Sequence, residues 1–132
     1  MMRRATAVSL IPSFLLAATV GCFSDKEDGI TEPTPDFVSC SSSAPAPPAT
    51  ARLVRISNFA FVNAQLSIPT GTTVYWINCD NEGHTTTSDN GVWDSSLLGL
   101  DDVFSRRFDD AGSFPYHCTP HASIMTATIT VQ

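Results

Sequence analysis

From residue 51 to the C-terminus, short runs of β-branched and aromatic residues alternate with turn residues. Residues 53–56 lead into 59–62, and residues 65–68 are followed by a Pro69-Thr70-Gly71 turn. Residues 72–77 are β-branched and aromatic, which suits a half-buried strand. Residues 103–108 come next, then an Asp110-Ala111-Gly112 turn, then two further runs at 113–118 and 125–131. No run carries helical periodicity over a normal helix length. Short strands at close, regular spacing predict an antiparallel β-sandwich.

Successive side chains of a strand point to opposite faces, so the pattern also assigns directions. Phe114, Tyr116 and Cys118 share one parity, and Ser113, Pro115 and His117 share the other. The aromatic face belongs to the core, which turns Cys118 inward and His117 outward. In the last run Ala127, Ile129 and Val131 share the parity of Met125, while Thr126, Thr128 and Thr130 face the other way.

The N-terminal part reads differently. Arg3 and Arg4 precede an apolar stretch, residues 5–20, that Pro12 interrupts. This is the form of a secretory signal and a poor form for a membrane-spanning helix. It closes on Ala18-Thr19-Val20-Gly21-Cys22. That run resembles the bacterial lipobox, in which cleavage precedes a cysteine that is then lipidated. Residues 1–21 are therefore read as a lipoprotein-type signal peptide and Cys22 as the lipidation site. The blander alternative is an ordinary signal with a stray cysteine. In residues 22–50, Asp25, Glu27, Asp28, Glu32 and Asp36 are followed by a Ser/Pro-rich run. So few of these residues can pack a core that the stretch reads as a disordered tether, holding a domain of residues 51–132 off a membrane.

Removing residues 1–21 leaves five basic against thirteen acidic residues, a net charge of −8. Nucleic-acid binding needs a basic patch, so that class is excluded. The acidity either steers the chain toward a cationic partner or only keeps it soluble. Of the four cysteines, Cys40 and Cys79 form an even pair in a compartment that favours oxidation. A disulfide between them and two free thiols are both open readings.

The chemistry concentrates in Tyr116-His117-Cys118-Thr119-Pro120-His121-Ala122-Ser123-Ile124-Met125. A thiolate, an imidazole and a thioether fall within one loop between two strands. A second imidazole, His84, lies upstream in Gly83-His84-Thr85-Thr86-Thr87. Two nitrogens and a thiolate with a weak axial thioether describe a blue-copper site. Taken singly, each residue has a plainer role: a surface histidine, a buried thiol, a core methionine. Zinc also binds His and Cys, but the thioether argues for copper.

These stretches, with residues 71–78 and the run Ala111-Gly112-Ser113-Phe114-Pro115-Tyr116-His117-Cys118, resemble the plastocyanin/azurin-like cupredoxins over residues 51–132. The resemblance implies an antiparallel Greek-key sandwich with one type 1 copper ion at one end. It implies His84, Cys118 and His121 as equatorial ligands and Met125 as the axial one. It also implies an exposed His121 edge within an apolar patch, here Pro120, Ala122 and Ile124. Many members of the family carry asparagine after the first histidine, where this chain has Thr85. Three residues separate His121 from Met125, as in azurins, while the Cys-x-x-His half is like plastocyanin and amicyanin.

No second set of histidines, phosphate loop or catalytic triad is legible, so no enzyme activity is expected. The expectation is a monomeric electron carrier in the periplasm or at the cell surface. It would exchange electrons with redox proteins such as c-type cytochromes or membrane redox complexes. Copper storage or delivery with the same ligands is the rival reading.

Overall fold

The computed structural model describes residues 33–132. The signal stretch, Cys22 and the first part of the acidic segment lie outside the described residues. Seven strands form among them: β1 (Ala51–Ile56), β2 (Gln65–Ile68), β3 (Thr72–Asn78), β4 (Thr87–Ser88), β5 (Val103–Phe108), β6 (Gly112–His117) and β7 (Thr126–Val131). One sheet has the order β1-β3-β5 and the other β2-β7-β6-β4.

Alternation decides which side chains the two sheets share. Val54, Ile56, Val74, Trp76 and Phe108 from the first meet Ile68, Tyr116, Ala127, Ile129 and Val131 from the second in one core. Burying each large apolar side chain contributes about 1.5–3 kcal/mol. Trp76, fully buried, is the centre of this core. Its ring packs against Trp93, Phe104, Phe108 and Tyr116, and its indole N–H donates to the Tyr116 hydroxyl at 3.2 Å. Burial pushes the Tyr116 hydroxyl up to about 12, against the opposing pull of the Trp76 bond.

The sandwich is as expected, but its sheets are mixed. β1 pairs with β3 in parallel and β2 with β7 in parallel, while the other three pairings are antiparallel. The reason is the path of the chain. After β1 it crosses to the opposite sheet as β2, so it re-enters the first sheet running in its original direction. Residues 59–62, read from their apolar content as a strand, form only a bridge from Phe61 to Ile56. Asn58 and Phe59 instead take left-handed backbone angles.

Residues 33–50 are engaged with the sandwich rather than standing apart from it. Phe37 is buried and meets the Tyr75 ring edge-on at 5.2 Å. Arg55 donates to the carbonyls of Ser39 and Ser41. Cys40 is bonded to Cys79, just past the end of β3, with the Cα atoms 5.5 Å apart. A Ser/Pro-rich composition hides this strap, because one aromatic side chain and one cystine are enough to fix it.

Candidate metal centre

β6 ends at His117, and parity carries Cys118 into the core, where it is fully buried. The loop that follows is closed by its own backbone. Cys118 N–H donates to the Met125 carbonyl at 3.0 Å, and the His121 N–H donates to the Cys118 carbonyl at 3.0 Å. The His121 carbonyl in turn accepts from Ile124 (3.0 Å) and Met125 (2.9 Å). Pro120 sits in the 3-10 turn Thr119–His121. These bonds give the three residues between His121 and Met125 a compact turn and bring His121 back over the sulfur. The His121 Nδ1 lies 3.5 Å from Cys118 Sγ.

His84 reaches the same point from elsewhere. Its backbone pairs with Leu98 in both directions, at 3.1 and 2.7 Å. Thr86 accepts from Ser95, and Ser88 N–H donates to Trp93. Buried Asn78, the last residue of β3, braces the turn before it: its amide donates to the carbonyls of Glu82 (2.7 Å) and Leu98 (2.9 Å). The result is a fully buried His84 whose Nδ1 lies 3.6 Å from Cys118 Sγ. One ligand atom from each of His84, Cys118 and His121 lies within 4.8 Å of the others.

The sulfur has a further neighbour. The backbone N–H of Thr85 donates to Cys118 Sγ at 3.3 Å. The Thr85 hydroxyl is used differently: it accepts from Thr119 N–H at 2.8 Å and shares a bond with the Thr87 hydroxyl. Thr85 thus ties the His84 segment to the Cys118 loop, so the threonine stands here without loss of a bond to sulfur.

Two residues that sequence reasoning did not single out complete the surroundings. Asp80 Oδ2 meets His84 Nε2 at 3.0 Å, fixing the ring by its far nitrogen. Burial works against the charged carboxyl, yet the N–H groups of Phe59 and Asn58 and the His84 ring outweigh it and hold Asp80 below its ordinary value. Phe59 stands edge-on to the rings of both His84 (5.3 Å) and His121 (5.0 Å). Nothing in the local sequence separates Asp80 from the surface acids around it, and Phe59 looked like a strand residue.

His117 faces away and pairs with Asp89 on the surface. Met125 is buried at the base of the loop, within the core cluster. Acidic residues gather at this end: Asp80 and Glu82 follow β3, and Asp101 and Asp102 bond through their backbones to Asn78. Arg52, Arg106 and Arg107 lie level with Thr73 and Val74, nearer the other end of the sheet.

Residues 50–132 match the copper-binding proteins of the plastocyanin/azurin family. The chain belongs to that family. Among curated relatives it is similar to amicyanin of Paracoccus versutus, 28% identical over 120 residues, covering 87% of this chain and 86% of that protein. It is also similar to amicyanin of Paracoccus denitrificans, 30% identical over 74 residues, covering 52% of this chain and 56% of that protein. Solved amicyanin structures superpose on the fold. A reduced tryptophan-to-tyrosine mutant has 27% identity and a TM-score of 0.59, covering 63% of this chain and 83% of that one. An oxidised proline-to-alanine mutant has 27% identity and a TM-score of 0.60, covering 64% and 85%.

The cofactor of this family is copper, and the donor set fits it. Two imidazole Nδ1 atoms and one buried thiol converge, and imidazole and thiolate are donors that suit copper in both common oxidation states.

Proposed function

We propose that this chain is a blue-copper electron carrier with His84, Cys118 and His121 as equatorial ligands and Met125 as the axial one. The observation that carries the reading is the convergence of both Nδ1 atoms on the buried Cys118 sulfur. A copper ion held by such a set cycles between Cu(I) and Cu(II) and so passes one electron at a time. The residues around it resist rearrangement. The Cys118 loop is closed by its own backbone bonds, and His84 is fixed at its backbone by Leu98 and at its ring by Asp80. His121 is the half-buried ligand, flanked by exposed Pro120, Ala122 and Ile124, so electrons would enter and leave along its edge.

The acidic residues at this end of the sandwich support a cationic redox partner, such as a c-type cytochrome or a membrane redox complex. Export by the signal at residues 1–21 and lipid on Cys22 would hold the carrier, as a monomer, at the outer face of a bacterial membrane.

The test is copper titration of the chain from Cys22 onward, read by visible absorption and voltammetry. A strong band toward the red end and a fast, reversible couple at one copper per chain are expected. Colourless Cu(I) binding with rapid transfer to a chelator would make it a delivery protein instead. Stoichiometric copper without a charge-transfer band would overturn the blue-copper assignment.

A further inference from the structure

Asn58 and Phe59 occupy the left-handed region in succession, at φ 53° and 56°. Asparagine tolerates that region, but a bulky residue such as phenylalanine avoids it. Such a conformation persists only where the surroundings over-determine it. The turn is closed by reciprocal backbone bonds between Ser57 and Ala60, at 2.9 and 3.2 Å, and one side chain fastens its two central N–H groups. Asp80 Oδ1 accepts the Asn58 N–H at 2.7 Å, and Asp80 Oδ2 accepts the Phe59 N–H at 2.9 Å. Oδ2 also bonds His84 Nε2. Asp80 is placed for this by its own N–H, which donates to Asn78 Oδ1 at 3.0 Å. One carboxylate therefore binds three donors from two segments that are remote in sequence. The strained turn it holds presents the Phe59 ring at 87° to both imidazole planes.

We propose that Asp80 is a positioning residue for the whole metal centre: it clamps the Asn58–Phe59 turn and His84 together, and through Phe59 it also orients His121, which it does not bond. The proposal rests on reading His84 and His121 as ligands. It differs from a simple ring-orienting role for Asp80, which would affect His84 alone.

The test uses the chain from Cys22 onward without copper, so it is readable even if the copper reading fails. Asp80→Ala, Phe59→Ala and the double variant are compared with the parent by NMR. Asp80→Ala should speed amide exchange at Asn58 and Phe59 at least tenfold and leave Ile129 unchanged. It should also displace the His121 ring signals, in the same direction as Phe59→Ala does. The double variant should displace them no further than the larger single change, because both act along one path. Should Asp80→Ala not fold, Asp80→Asn retains one acceptor and is expected to give the same pattern, weakened. In the copper-loaded chain, Phe59→Ala and the Asp80 variant should move the visible band in the same sense. Displacement of His84 signals with His121 and the Asn58 and Phe59 amides unchanged would overturn the proposal. So would additive effects on His121 in the double variant. Loss of copper binding with the coupling intact in the copper-free chain would instead count against the ligand reading.

Discussion

Cys118, His121 and Met125 arrive on one short loop, whereas His84 arrives on a segment whose place depends on three others. The loop carries its own hydrogen bonds and is anchored by the ends of β6 and β7, with a further tie to Thr85. The His84 wall needs Asn78 from β3, Leu98 from the segment before β5, and the Asn58–Phe59 turn joined through Asp80. The difference teaches that two candidate ligands of one centre can depend on different physics. One is fixed by local closure, and the other by long-range satisfaction of polar groups. Each half should therefore fail in its own way.

The largest stability effect is expected beside the His84 wall. Replacing Cys40 and Cys79 together by serine opens a cross-link between positions 39 apart. It should cost about 3–4 kcal/mol in urea unfolding, from chain entropy restored to the unfolded state. Equal stability with and without reductant in the parent would show that the strap adds nothing. Next comes Asn78→Ala. It strands the Glu82 carbonyl and the Asp80 N–H and leaves the Leu98 carbonyl with the His84 N–H alone, at a cost of roughly 3 kcal/mol. Copper affinity should fall with it. Unchanged affinity would break the comparison, because the wall would then not depend on its brace.

The core beneath the loop has a pH signature. The Tyr116 hydroxyl is pushed up to about 12 in the folded state, while an unfolded tyrosine titrates near 10. Below pH 10 both states are protonated and stability is unaffected. Between roughly pH 10 and 12 the unfolded chain alone loses its proton, so about 2–3 kcal/mol should drain away as pH rises. Tyr116→Phe should flatten that decline in a pH series of thermal unfolding. The smallest effect on stability is expected for Met125→Leu. The volume is nearly conserved, so less than about 1.5 kcal/mol should be lost. A large shift in reduction potential from the same variant would show that the thioether serves copper rather than the core. An unchanged potential would leave Met125 as core alone.

The comparison also explains what could be read from the residues alone. Cys118 and His121 were legible because strand parity and loop spacing are local properties, and the core faces of β6 and β7 followed from the same period of two. His84 was legible through its flanking run. Asp80 was not, because its role depends on where residues 58 and 59 lie in space. The engaged strap at 33–50 was masked by its composition. Phe37 next to Val38 was its one apolar signal. The parallel pairings β1–β3 and β2–β7 escaped for the same reason as Asp80: strand direction within a sheet belongs to the path of the chain, not to any segment.

The bond from Thr85 to the Cys118 sulfur has a quiet consequence. Its donor is a backbone amide, so every side chain except proline supplies it. Hydrogen bonds to the cysteine sulfur help set the potential of a blue-copper site, and here that control is invisible to a scan of side chains. Alanine at position 85 would loosen the tie to Thr119 and leave the sulfur's donor in place. Only a change in the main chain, such as an ester in place of the amide, would reveal what that proton does.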